Sequence, residues 1–79
     1  MKKKQITTPA PELMMQAKGI RRGDRVRIVG TWPNRATGKV SHFASGHRLL
    51  AHVKYDKSHI RGGYAYTYSW YEEGQLEKL

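Results

Sequence analysis

The sequence contains no cysteine, and only six of its 79 residues are Asp or Glu. Without cysteine the chain can form neither a disulfide framework nor a thiolate metal site, which fits a reducing compartment. No segment approaches the roughly 20 apolar residues of a membrane span, and the lysines at 2–4 are not followed by the apolar run of a secretory signal. We therefore expect a cytoplasmic protein that does not enter a membrane.

The scarcity of acidic residues leaves a large positive charge. Fifteen Lys and Arg against six Asp and Glu give a formal net charge of +9. Ten of the basic residues lie between Arg21 and Arg61, a stretch whose only acids are Asp24 and Asp56. This excess favours a polyanionic partner, RNA or DNA, and it also suits an acidic protein surface or simple solubility.

A chain of 79 residues holds one domain at most. Residues 1–19 are predicted to be a flexible basic arm that includes a short helix or turn, because "ELMMQAK" at 12–18 contains good helix formers and Gly19 supplies a stop. The side chains of Leu13, Met14 and Met15 are expected to cover one end of the folded domain. Residues 20–79 form that domain.

The domain is predicted to be all-β, since alternating segments are separated by turn residues about every ten positions. In "RVRI", for example, Val26 and Ile28 point inward while Arg25 and Arg27 point outward. The predicted strands span 25–28, 37–43, 48–56, 64–71 and 75–79, with a basic loop at 57–63. The predicted core contains Val26, Ile28, Val40, Phe43, Leu49, Ala51, Val53 and Leu76.

The fourth predicted strand, "YAYTYSWY", carries an aromatic ring at every second position. Successive side chains of a strand point to opposite faces, so Tyr64, Tyr66, Tyr68 and Trp70 are expected to share one face. The predicted core is thin without this strand, and we therefore assign Tyr68 and Trp70 to it. Tyr64 and Tyr66 lie nearer the basic loop and are expected to be available to a partner.

Four segments, "RRGDRVRIVG", "ATGKV", "LLAHVKYD" and "YTYSWYEEGQLEKL", together resemble the SH3-like small β-barrel superfamily of KOW and Tudor-like modules. The resemblance covers residues 20–79 and implies a single five-stranded barrel. KOW modules bind RNA or protein, and Gly38-Lys39-Val40 is the part of this chain that best fits their pattern. A fold of this kind does not fix a function, because binding sites are added to it independently.

Other small barrels of the superfamily have different roles. Photosynthetic accessory subunits use the barrel to dock electron carriers, and type II dihydrofolate reductase assembles such barrels around a pore. The reductases line that pore with Val-Gln-Ile-Tyr, where this chain has Tyr68-Ser69-Trp70-Tyr71. The bulkier rings would block a pore, so this alternative is disfavoured.

Residues suited to catalysis or metal binding are few and scattered. The histidines lie at 42, 47, 52 and 59, and although His42 and His52 can face each other across adjacent strands, zinc needs three or four ligands. Glu72 and Glu73 are adjacent in a turn, and Asp24 is expected to accept backbone hydrogen bonds at its own turn. No nucleophile has an evident base. We expect no enzyme activity, no metal and no cofactor.

The expected function is non-enzymatic nucleic-acid binding through a basic surface with aromatic stacking residues. The candidate binding residues are Arg25, Arg27, Trp32, Arg35, Lys39, Arg48, Lys54, Lys57, Arg61, Tyr64 and Tyr66. Two interpretations of Trp32 are open, since it can project to stack on bases or fold back over the mouth of the barrel.

The sequence leaves the choice among RNA, DNA and an acidic protein partner open, as it does the oligomeric state. The rival function is a protein-docking or regulatory module on a larger enzyme or polymerase, where the same charge would steer the encounter. From the sequence alone, replacing Arg25 and Arg27 by Glu is expected to abolish polyanion binding and to leave the fold intact.

Overall fold

A computed structural model describes residues 13–79, and these residues form an all-β domain. Five antiparallel strands make one sheet, in the order β4-β3-β2-β1-β5. A single-turn 3-10 helix, Glu73–Gln75, connects the last two strands. The strands are β1 Arg25–Ile28, β2 Thr37–Ser45, β3 Leu49–Arg61, β4 Tyr64–Tyr71 and β5 Leu76–Lys78. The five predicted strands are confirmed.

The chain folds as a meander from β1 to β4 and then returns, so that β5 pairs with the free side of β1. Val26 lies opposite Gly38 of β2 on one side and opposite Lys78 of β5 on the other. This order is compatible with an SH3-like small barrel, in which the return of the last strand to the first curls the sheet around a single core.

The core lies on the inner face of the curled sheet, and the alternation predicted for β1 and β3 is confirmed there. Phe43 and Leu49 are only partly buried and pack against this core. Tyr55 is the next inward-facing residue of β3 after Val53, and it is buried as well. The fully described core consists of Met15, Ile20, Val26, Ile28, Val40, Ala51, Val53, Tyr55, Tyr71 and Leu76.

The segment before β1 is a turn and not a helix. Met15 and Ile20 form an isolated antiparallel bridge, with their backbone groups exchanging hydrogen bonds of 2.9 and 3.1 Å. Both side chains are buried, whereas Leu13 is exposed. The chain thus covers one end of the core with a methionine and an isoleucine. Of the predicted flexible arm at 1–19, residues 1–12 lie outside the described residues.

The predicted basic loop at 57–63 is wrong for most of its length, because β3 continues to Arg61. The reason lies in the turn that follows. Gly62 and Gly63 both have positive φ, 60° and 84°, as a two-residue hairpin turn of the primed type requires. Such a turn lets the flanking residues pair directly, and Arg61 lies opposite Tyr64.

The assignment of Tyr68 and Trp70 to the core is also wrong. Both are exposed, at 51% and 38%, and β4 instead contributes Tyr71, which is 4% exposed. The register explains this, because Tyr71 lies opposite Ala51 and Ser69 opposite Val53, and both of those β3 residues point inward. The Tyr71 hydroxyl lies 2.6 Å from the Tyr55 hydroxyl inside the core.

At Gly38, β2 lies in close contact with β3. A Cβ atom at this position would lie 2.4 Å from the backbone oxygen of Lys54 and 2.9 Å from a methyl carbon of Val53. No larger residue fits without moving the β3 backbone, so this close contact requires glycine. The bend that the sequence predicts at Gly38 stays a prediction.

Gly38→Ala is therefore expected to destabilise the domain by roughly 1–3 kcal/mol, the usual range for overpacking a close contact. Gly46→Ala is the matched control, since a Cβ at Gly46 meets nothing within 4 Å, and it should change stability by less than about 0.5 kcal/mol. Urea unfolding of the two variants measures the difference. Equal stabilities would show that β2 does not approach β3 as described.

Candidate nucleic-acid interface

The outer face of the sheet carries a row of side chains that crosses three strands. Lys39 of β2 lies opposite Lys54 of β3, and Lys54 in turn lies opposite Tyr68 of β4. All three side chains are exposed. Two lysine side chains and one tyrosine side chain thus start side by side from strands about 4.8 Å apart.

A second row, parallel to the first, consists of rings. His42, His52 and Trp70 lie opposite one another on β2, β3 and β4. The His52 ring stacks on the His42 ring at 4.6 Å between centroids and on the Tyr68 ring at 4.5 Å. Trp70 stands edge-on to both histidines, at 5.3 and 5.0 Å. We call these four residues the ring ladder.

The bulge between Val40 and His42 brings the two rows onto the same face. Strict alternation along β2 would place Lys39 and Ser41 outward and His42 inward. One additional residue in β2 reverses the alternation at that point, so His42 joins Lys39 on the outer face. His52 and Lys54 share this face through ordinary alternation in β3.

His52 is the most enclosed member of the ring ladder. Its Nδ1 atom is buried and has no hydrogen-bond partner among the described residues. Burial, and then the neighbouring His42, lower the pKa of His52 below its ordinary value. The neutral imidazole is therefore the form that the fold favours, because a charged ring would lose its hydration and approach a second histidine.

Several of the candidate arginines already have carboxylate partners. Arg25 donates to Asp56 at 2.5 Å, Arg27 donates to Glu77 at 3.1 Å, and Arg48 pairs with Glu72. The hydrogen bond from the Thr37 hydroxyl holds the pKa of Asp56 below its ordinary value; burial opposes this effect, and the Arg25 guanidinium lowers the pKa further. These pairs reduce the charge that the arginines present to a ligand.

The lysines of the outer face have no such partners. Within residues 13–79, no carboxylate lies within salt-bridge distance of Lys39 or Lys54. The same holds for Arg35 and Lys57, which line an open groove beside Trp32 and Thr37. Uncompensated positive charge thus lies both on the outer face and in this groove.

Trp32 folds back over the barrel and does not project into solvent. Its ring meets Tyr66 edge-on at 5.5 Å and His59 at 6.2 Å, and the Arg61 guanidinium lies 5.1 Å from the ring centroid. The Trp32 carbonyl accepts a hydrogen bond from the Tyr71 hydroxyl. The structure therefore agrees with the second of the two interpretations drawn from the sequence, in which Trp32 folds back.

The candidate residues therefore fall into separate places. Lys39 and Lys54 lie beside the ring ladder, whereas Arg61 and Tyr66 pack with Trp32 at the β3–β4 hairpin. Tyr64 is 70% exposed beside the hairpin turn. The ring ladder was missed as a binding surface, although the predicted pairing of His42 with His52 was correct and already pointed to it.

Neither metal ligation nor a membrane span finds support in the described part of the chain. Residues 13–79 contain no group of three His, Asp or Glu side chains placed to hold a metal ion. No helix in this range is long and apolar enough to cross a membrane. Comparison with known proteins finds no matching family model, curated protein or solved structure.

The lowered pKa of His52 predicts that acid destabilises the domain. Because the folded state binds this proton less readily than the unfolded chain, stability is full above the ordinary histidine pKa of 6.5 and falls as pH drops toward the lower folded pKa. Chemical denaturation between pH 8 and pH 5 measures the loss. His52→Gln should show a smaller loss than the unchanged protein.

His47→Gln is the control for this measurement, because His47 is exposed in the turn between β2 and β3. It should keep the full acid-dependent loss. If His52→Gln and His47→Gln had the same dependence on pH, the enclosed imidazole would not be its source.

Proposed function

We propose that the protein is a non-enzymatic nucleic-acid-binding module, a small β-barrel that binds RNA or DNA on its outer face. The observation that supports this most directly is the pairing of Lys39 with Lys54 beside exposed aromatic rings, with no carboxylate of the described residues at salt-bridge distance. Cysteine-free composition and a polyanionic ligand together favour a cytoplasmic location.

The lysine pair is unfavourable in the free protein. Like charges directly opposite each other on adjacent strands repel, and here β2 and β3 hold them in that position. A phosphate group at each of the two ammonium groups replaces this repulsion with attraction and releases counterions from the nucleic acid. The arrangement therefore gains stability when a polyanion binds.

The rings favour a nucleic acid over an acidic protein surface. An acidic protein would satisfy the lysines, but it would leave the exposed faces of Tyr68 and Trp70 without a matching planar group. Bases offer such groups in every nucleotide, and stacking on aromatic side chains is a usual part of single-strand and loop recognition. A nucleic acid can therefore bind both parts of the outer face, its phosphates to the lysines and its bases to the rings.

The resemblance to KOW modules agrees with this placement. In Gly38-Lys39-Val40 the glycine and valine are buried, and only the lysine side chain reaches the outer face. Lys39 would accordingly be the one cation that this segment presents to the ligand, while Gly38 and Val40 pack β2 against the core.

Lys39→Gln combined with Lys54→Gln is expected to weaken binding of labelled RNA and to reduce the salt dependence. Loss of two phosphate contacts should lower the magnitude of the slope of log affinity against log salt by about 1.4 for single strands and about 1.8 for duplexes. Fluorescence anisotropy at several salt concentrations measures both quantities.

Arg25→Gln with Arg27→Gln is the matched control, since it removes the same net charge from residues that already pair with Asp56 and Glu77. Its effect should be smaller than that of the lysine pair, which revises the expectation from sequence that these arginines dominate. Absence of binding to single-stranded RNA, duplex RNA and duplex DNA at low salt, with a protein partner retained after nuclease treatment, would favour the docking alternative.

A further inference from the structure

We propose that the preferred ligand is single-stranded, and that one of its unpaired bases continues the ring stack on the free face of Tyr68. This inference rests on the nucleic-acid binding proposed above and specifies which form of nucleic acid the same outer face takes. Three observations support it. The ring stack ends at Tyr68, lysines lie beside that end, and the other aromatic cluster, around Trp32, already packs against neighbouring side chains.

The stack His42, His52, Tyr68 is open at its tyrosine end. His52 is covered on both sides, at 4.6 Å by His42 and at 4.5 Å by Tyr68, with interplanar angles of 18° and 27°. Tyr68 has a ring on one side only, because β4 is the terminal strand of the described sheet. Its side chain is accordingly half exposed.

The cations lie on the side of Tyr68 that faces the sheet. Lys54 is directly opposite Tyr68 in the β3–β4 register, and Lys39 follows on β2. A strand whose base lies on the outer side of Tyr68 can continue across this row, so that phosphates of the adjoining nucleotides meet Lys54 and Lys39. Stacking and phosphate contact therefore come from neighbouring residues of one row.

A duplex cannot use the same arrangement. Its base faces are covered by neighbouring base pairs, so only the terminal pair of a helix or an unpaired nucleotide can lie flat on a protein ring. A duplex would retain the two lysine contacts and lose the stacking contribution. The outer face should therefore bind single strands more tightly than duplexes of the same sequence.

The cluster around Trp32 is a poorer place for a base. Arg61 lies over the Trp32 ring, and His59 and Tyr66 contact it from the β3–β4 hairpin. A base would have to displace one of these contacts. Tyr68 offers a ring face that no described residue covers with a second ring.

Titration of a labelled single-stranded RNA, and of the same RNA annealed to its complement, tests the proposal by anisotropy at one salt concentration. Tyr68→Leu is expected to weaken single-strand binding roughly tenfold, within the range measured for removing one base–aromatic stack, and to change duplex binding little. Tyr68→Phe retains the ring and should retain the affinity for the single strand.

Trp70 provides a second readout that does not depend on affinity. The chain has two tryptophans, so Trp32→Phe leaves Trp70 as the only one. Because Trp70 belongs to the ring ladder, its fluorescence should change when the single strand binds, and it should change less with the duplex. Circular dichroism and thermal unfolding establish that each variant is folded.

The outcomes separate the two proposals. If no nucleic acid binds at low salt, the proposed function and the proposed preference for single strands are both overturned. If single strand and duplex bind equally and Tyr68→Leu behaves like Tyr68→Phe, nucleic-acid binding stands and the base-stacking inference is overturned. Weaker single-strand binding by both Tyr68 variants would also contradict it, because the phenol oxygen and not the ring would then be the contact.

Discussion

The close approach of β2 to β3 at Gly38 determines both the core and the outer face. The backbone oxygen of Lys54 occupies the space where a side chain at Gly38 would be. This contact lies in the register in which Lys39 meets Lys54 and Val40 meets Val53. The bulge between Val40 and His42 then shifts the register so that His42 meets His52 on the outer face. The contact at Gly38 and this bulge together align the packed interior with the exposed row of cations and rings.

The domain divides its bulky side chains between two faces. The inner face is closed largely by aliphatic residues, with Tyr55 and Tyr71 linked through their hydroxyls. Burial, and then the bond with Tyr55, raise the pKa of Tyr71 well above its ordinary value, so the Tyr71 phenol stays neutral. The outer face keeps Tyr68 and Trp70 half covered by imidazole rings. Exposing aromatic area to water costs solvation free energy, and exposed patches of this kind often mark binding surfaces.

Sequence patterns predict the parts of this structure that depend on local geometry. Strict alternation correctly placed Val26, Ile28 and Leu76 in the core. The assignment of Tyr68 and Trp70 to the core was wrong for a non-local reason. Which face of β4 points inward depends on its register with β3, and "YAYTYSWY" allows either face until Tyr71 is set opposite Ala51.

The candidate site could be predicted only in part from the sequence, again because it depends on contacts between strands. A count of basic residues finds Lys39 and Lys54, but it cannot show that Arg25 and Arg27 have carboxylate partners from β3 and β5. The bulge near Ser41 has no glycine or proline to mark it, and without it His42 would be expected on the opposite face. Both features arise from contacts between strands.

The outer edge of β4 has a consequence for how the protein behaves in solution. Edge strands in natural sheets are usually protected by lysine, proline or a short length, and Tyr64–Tyr71 has neither residue and runs for eight positions. Within residues 13–79 no strand pairs with this edge, and its N–H and C=O groups are a template for another extended chain. Protection against self-assembly must then come from the repulsion between molecules of net charge +9. High salt weakens that repulsion, so the colloidal stability of this domain is set by ionic strength.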